Sequence, residues 1–341
     1  MAKRAIFDKK NVLVVGGAGF IGSHLCTELV KTSKVICVDN FSTGQEANVD
    51  DLLANPNFRF IRHDMSQPLD LLQQASLEPF RVQFQGIQEI YNFACPTSEK
   101  DPEKFALQTL LANSYVVKNI LDIAVTSGAK VVHISTSAVY GDPLENQKVF
   151  PESYWGFVNP IGLRAPYNEG KRFAEAMVAT YRKKYGLDFK IARLFHVYGP
   201  HMSFASGFTI PDMIKAAAGG EDVVIHGTGN EQRYYCYVSD VVDALLKLMQ
   251  SNLSGPVNIG STEGTTTRVV AGLITKALNS TSKVLFADPL PDYIEHAIPD
   301  ITLAREHLSW FPVVRLPQGI QRTVKEMVAS QVLRYTDFTQ K

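Results

Sequence analysis

Asn11-Val12-Leu13-Val14-Val15-Gly16-Gly17-Ala18-Gly19-Phe20-Ile21-Gly22 is the stretch whose reading decides the fold. A short apolar run ends in glycines, and apolar residues at helical spacing follow from Phe20 to Lys31, so the segment reads strand, tight turn, helix. Gly16, Gly19 and Gly22 stand in a Gly-x-x-Gly-x-x-Gly spacing. The missing side chains let the backbone turn tightly and bring its amides and the helix N-terminus against a pyrophosphate. The same glycines are also compatible with a plain tight turn.

Asp39 weighs against the plain turn. Lys34 to Asp39 reads as a second strand that ends in an acid about 20 residues past the loop, where a carboxylate accepts hydrogen bonds from an adenine ribose and repels a 2′-phosphate. The loop after it, Asn40-Phe41-Ser42-Thr43-Gly44-Gln45, carries no basic residue, so NAD is favoured over NADP. Further apolar runs at Phe58 to Ile61, Glu89 to Ala94, Lys130 to Ser135 and Lys190 to Phe195 alternate with helical stretches at Glu103 to Ser127 and Tyr167 to Tyr185. That alternation predicts an α/β fold, a Rossmann-type doubly wound parallel sheet covered on both faces.

Residues 1–198 are expected to form mainly the NAD-binding unit. Residues 199–330 are expected to form mainly a smaller α/β substrate lobe, intermixed with the first unit and placed over the carboxyl edge of the sheet, with 331–341 a polar tail. Asp64, just past the third strand, is a candidate for the adenine edge or a solvated strand-end acid. Ala94 and Cys95 end the fourth strand with small side chains that leave room for the cofactor. Asn113, in an otherwise apolar helix, reads as a buried hydrogen-bonding strut or an exposed polar position, with the strut favoured.

The chemistry is carried by Tyr167 and Lys171. Four residues apart on a helix, they share one face, so the ammonium is placed to lower the phenol's pKa and ready it as a proton acceptor for a secondary alcohol. Ser135-Thr136-Ser137 closes the fifth strand and supplies hydroxyls at the carboxyl edge, although such hydroxyls often only cap a turn. Thr136, Tyr167 and Lys171 are the expected catalytic group: Thr136 holds the substrate hydroxyl, Tyr167 exchanges its proton, and Lys171 tunes the phenol and binds nicotinamide ribose.

With these residues in place, the chain from about Asn11 to Ala329 resembles the extended short-chain dehydrogenase/reductase family, and within it the UDP-glucuronate decarboxylases. The matching stretches are Val38-Asp39-Asn40-Phe41, His63-Asp64, Ala94-Cys95-Pro96, Tyr140-Gly141-Asp142-Pro143-Leu144, Tyr154-Trp155-Gly156, Val158-Asn159-Pro160-Ile161-Gly162 and Glu169-Gly170-Lys171-Arg172. The resemblance implies a nucleotide-sugar substrate, NAD that oxidises C4, and a homodimer built on two helices per subunit. It extends the cofactor set to Gly16, Gly19, Phe20, Ile21, Gly22, Asp39, Asn40, Phe41, Thr43, Gly44, Asp64, Met65, Ala94, Tyr167 and Lys171. It places Arg233 on the diphosphate of the substrate, and Ser137 and His196 are further expected substrate-binding residues.

Departures from the pattern cluster at the substrate. Ala138 stands where the decarboxylases and 4,6-dehydratases carry glutamate, His196 where the decarboxylases have asparagine, and His201 where they have arginine. Ala297 and Ile298 replace a basic residue before Pro299-Asp300-Ile301. Loss of the glutamate argues against a 4,6-dehydratase, whose elimination needs a base and an acid. Decarboxylation of UDP-glucuronate, 4-epimerisation of a UDP-sugar, and a dehydrogenase or reductase that releases NADH remain, with a catalytically silent NAD-binding protein behind them. His196 and His201 are open as substrate ligands or proton donors.

Composition limits the rest. Lys plus Arg and Asp plus Glu number 34 each in 341 residues, so no global field draws in nucleic acid or an anionic membrane. Cys26, Cys37, Cys95 and Cys236 lack Cys-x-x-Cys spacing and read as reduced, and no metal site is expected. No apolar run approaches the roughly 20 residues that span a bilayer, and the basic first ten residues lack a signal peptide's apolar core, so a cytoplasmic protein is expected.

Overall fold

The computed structural model describes residues 9–96, 101–143, 147–289 and 297–338. Leu144, the last residue of one matching stretch, lies outside them, as do the last three residues of the chain. Seven parallel strands form the central sheet: β1 (Asn11–Val15), β2 (Lys34–Asp39), β3 (Phe58–Arg62), β4 (Glu89–Asn92), β5 (Lys130–Thr136), β6 (Phe189–Leu194) and β7 (Pro256–Ile259). Their spatial order is β7-β6-β5-β4-β1-β2-β3, so the chain winds outward from β1 in both directions and leaves a crevice at the carboxyl ends of β1 and β4.

Alternation along the strands sorts the core into two layers. Val12 and Val14 of β1 join one apolar cluster, while Leu13 and Val15 join the other, and both layers are sealed from water by helices. The sheet therefore hides both faces, which is why its strands read as near-continuous apolar runs. Helix α1 (Phe20–Leu29) packs on β1 and β2. The long apolar stretch after the fourth strand is divided into α2 (Ala106–Leu111), a π-helical turn (Ala112–Val116) and α3 (Val117–Ser127). This differs from the single helix expected over Glu103 to Ser127. The wider turn surrounds Asn113, whose Nδ2 donates to the Thr109 carbonyl at 2.9 Å and to Cys95 Sγ at 3.3 Å, so the strut ties the helix to the end of β4.

Helix α4 (Ala165–Tyr185) carries Tyr167 and Lys171 and packs against α2, α3 and β5. Beyond it, α5 (Thr209–Ala218), α6 (Val238–Gln250), α7 (Thr267–Ala277) and α8 (Leu316–Phe338) enclose short strand pairs, among them Val223–His226 with Val284–Ala287. Helix α6 and strand β7 return to the sheet from this later part of the chain. Helix α8 runs into the stretch expected to be a tail. No helix among the described residues is long and apolar enough to cross a membrane.

Candidate active site

A cavity of about 860 Å³ opens along the carboxyl edge of the sheet, within the range of ligand sites. It begins at Asp39 and Asp64, passes the glycine turn and Ala94, reaches Thr136, Tyr167 and Lys171, and continues to His196 and Arg233.

The glycine turn is built for close approach. Gly16 has φ +75°, and a Cβ there would lie 2.8 Å from the Ala94 amide nitrogen. A Cβ on Gly22 would sit 2.4 Å from the Gly16 carbonyl oxygen, so helix and strand meet only because no side chain stands between them. Helix α1 follows with Gly19 as its first flanking residue and no capping side chain, leaving first-turn amides turned toward the cavity for an anion. Asp39 accepts from the Ala18 amide at 3.0 Å and the Phe41 amide at 2.8 Å. Burial pushes its carboxyl up, and the backbone donors pull it back down. Asp64 is exposed at the mouth, and its pKa is lowered chiefly by the Ser66 amide and also by Asn40.

A turn stripped of side chains, an uncapped helix end and an acid at the far end of one cavity fit a dinucleotide. Gly19, Phe20, Ile21, Asn40, Thr43, Gly44 and Met65 line the same path. Phe41 does not. Its backbone adopts φ +59° and its ring leaves the cavity to stack on Phe60 at 5.0 Å, with the Arg62 guanidinium over it. Only its amide, bonded to Asp39, serves the site.

At the inner end, Thr136 both caps and presents. Its Oγ1 accepts from the Ala138 amide at 3.2 Å and its side chain hydrogen-bonds Tyr167. Lys171 is buried, and its Nζ donates to the Ile134 carbonyl at 2.8 Å. The expectation that Lys171 lowers the phenol's pKa is corrected here. Tyr167 is raised above the ordinary phenol range, first by burial and then by Cys95, with Thr136 the only opposing influence. The Lys171 ammonium is directed to a backbone carbonyl, and burial is the largest influence on the phenol.

The two histidines have different surroundings. His196 is held down to about 3 by burial and by the Arg233 charge, so it offers a neutral imidazole rather than a charged donor. His201 lines the cavity, but its Nδ1 meets Ser23 Oγ at 2.9 Å and its ring stacks on His24 at 4.5 Å. It is tied to α1, and its φ of +66° marks a tight turn. Arg233 is buried on the cavity wall, and Ser137, Ala138 and Ala297 line the same cavity. Sequence reasoning missed Arg164 and Gln45 as lining residues; Arg164 lies one helical turn before Tyr167, a spacing that was available to read.

The profile of the NAD dependent epimerase/dehydratase family matches residues 12–260. The chain belongs to that family. UDP-glucuronic acid decarboxylase 5 of Arabidopsis thaliana is 38% identical over 311 residues, which cover 91% of this chain and 86% of the relative. UDP-glucuronic acid decarboxylase 1 of Danio rerio is 38% identical over 93% of this chain and 72% of its own. Among solved structures, the UDP-glucose 4-epimerase of Thermus thermophilus in complex with NAD superposes with a TM-score of 0.78 at 28% identity, covering 94% of this chain and 99% of that one. The family's cofactor is NAD, and the path from Asp39 to Lys171 is the part of the cavity that suits it.

Proposed function

We propose that the protein is an NAD-dependent nucleotide-sugar enzyme that oxidises C4 of UDP-glucuronate to a ketone and releases carbon dioxide. The observation that carries the reading is the convergence of Thr136, Tyr167 and Lys171 at the inner end of a cavity whose outer end suits NAD. When bound, NAD supplies a hydride acceptor and, in its oxidised form, a positive charge beside the phenol. Tyr167 takes the O4 proton, Thr136 orients the O4 hydroxyl, and Lys171 steadies the ribose side of the site. With C4 a ketone, the C5 carboxylate belongs to a β-keto acid. Its C5–C6 bond breaks, carbon dioxide leaves, and the electron pair moves to O4, where Thr136 and Tyr167 donate hydrogen bonds. A proton then returns to C5, and C4 takes back the hydride it gave up while Tyr167 returns the proton to O4, so that UDP-xylose leaves with no net oxidation.

A second reading, 4-epimerisation, is favoured by one feature. Ala138, Ala297 and a neutral His196 place no ionised side chain of their own at the sugar end, and epimerisation needs only hydride transfer with rotation of the keto-sugar. Incubation with UDP-glucuronate, followed by chromatography of the products, separates the two. Carbon dioxide with UDP-xylose is the expected result. UDP-galacturonate instead, or turnover of a neutral UDP-hexose alone, rejects decarboxylation.

The second copy of this chain is the proposed partner. Phe173 on α4 is 53% exposed, and Leu107, Leu110 and Tyr115 are exposed on the packed helix pair beside it. Trp155, at 89% exposure in the loop leading to α4, enlarges the same kind of apolar surface. The wild-type protein is expected to sediment at twice the 37.8 kDa chain mass, and Phe173→Asp to shift it toward the monomer. A dimer indifferent to that change puts the interface elsewhere.

A further inference from the structure

Behind the reacting cluster lies a mostly buried ion pair, each side chain 12% exposed, that the chemistry above does not use. Arg193 of β6 grips Glu175 of α4 in a bidentate fork, with Nε to Oε1 at 2.9 Å and Nη2 to Oε2 at 2.6 Å. Glu175 Oε1 also accepts from the Ser135 hydroxyl at 2.5 Å. Ser135 and Arg193 are register partners on adjacent strands, so the carboxylate bridges both from above. Arg193 is held in turn by the Tyr140 hydroxyl at 2.9 Å and the Glu152 carbonyl at 3.2 Å. The Tyr140 hydroxyl donates to Asn258 Oδ1 of β7 at 2.7 Å. The carboxylate thus ties α4 to two neighbouring strands, and through Arg193 and Tyr140 the network reaches a third.

The placement matters because of what lies beside it. Tyr167, Lys171 and Glu175 follow one another at four-residue intervals on one face of α4. Three consecutive residues of β5 meet that face: Thr136 bonds Tyr167, Ile134 accepts from Lys171, and Ser135 donates to Glu175. A buried ion pair is a weak source of stability compared with apolar packing of the same volume, whereas a bidentate fork fixes direction. An error of about 1 Å in the reacting groups costs on the order of a hundredfold in rate.

We propose that Glu175, clamped by Arg193, is a positioning residue: it holds the Ser135 hydroxyl and so fixes Thr136 and Lys171 relative to Tyr167. The proposal rests on the reading of Thr136, Tyr167 and Lys171 as the reacting groups, not on which sugar is turned over.

Ser135→Ala tests it, since that change removes the link to β5 and leaves the ion pair intact. Turnover is measured on UDP-glucuronate and on UDP-glucose, with NAD affinity by fluorescence titration and folding by the thermal midpoint. The expected result is a kcat lower by about tenfold to a hundredfold, with KM and NAD affinity within about twofold of wild type. Ser135→Thr, which keeps a hydroxyl, is expected to restore kcat to within about threefold of wild type. Wild-type kcat in Ser135→Ala overturns the proposal. So does a fall in kcat matched by equal losses of NAD affinity and thermal midpoint, which marks a structural role only. Wild-type protein inactive on both sugars overturns the proposed function instead, a failure visible before any substitution is compared.

Discussion

Tyr167→Phe is expected to bind NAD as tightly as the parent chain while turnover of UDP-glucuronate falls by about a thousandfold, in the range of a lost general acid or base. The substitution deletes one oxygen. The ring stays in its buried seat, Thr136 loses a hydrogen-bonding partner but keeps the Ala138 amide, and Lys171 keeps the Ile134 carbonyl. None of the groups that line the adenine and pyrophosphate end is touched. NAD titration and kcat measured on the same preparation check both halves. Full activity in Tyr167→Phe sinks the proton-transfer role, and loss of NAD affinity in parallel makes the phenol a binding group instead.

The resting state of that phenol shapes a further expectation. Burial raises Tyr167, so positive charge brought against the ring favours loss of its proton. The oxidised cofactor is the natural source of that charge. On this reading, oxidation at C4 and loading with NAD are coupled by electrostatics as well as by hydride transfer.

The sequence made the parts held by local rules legible. The strand, turn and helix from Asn11 to Leu29 follow from apolar runs and glycine spacing, and the strands that carry Asp39 and Thr136 end within one residue of expectation. Tyr167 and Lys171 share a face because a helix repeats every four residues or so. Groups whose partner lies far along the chain could not be read that way. Lys171 faces Ile134, 37 residues away, and His201 is captured by Ser23, 178 residues away. Phe41 leaves the cavity because a left-handed backbone turns its ring onto Phe60 of the neighbouring strand. Periodicity gives the face of an element, whereas the partner on that face is set by packing between elements. The departures at Ala138, His196 and Ala297 are visible as residues, whereas their meeting in one cavity is set by the fold.

Gly22→Ala is the sharpest test of the cofactor turn. The added methyl would meet the Gly16 carbonyl oxygen at 2.4 Å and Gly17 Cα at 2.9 Å, both backbone atoms that cannot swing aside. Helix α1 must then back away from the turn, an overpacking strain of about 1–3 kcal/mol, and the first-turn amides move with it. Since about 1.4 kcal/mol is tenfold in affinity, NAD binding is expected to weaken between tenfold and a hundredfold, with a lower thermal midpoint. Gly272→Ala supplies the contrast. Gly272 lies inside α7 with open space around its missing Cβ, so alanine there is expected to raise stability by about 0.5–1 kcal/mol and leave NAD binding unchanged. Two identical changes on two helices thus carry opposite signs, for a reason found in the neighbouring atoms. NAD binding at wild-type strength in Gly22→Ala would remove the dinucleotide from this turn, and with it the path by which the cofactor reaches Tyr167.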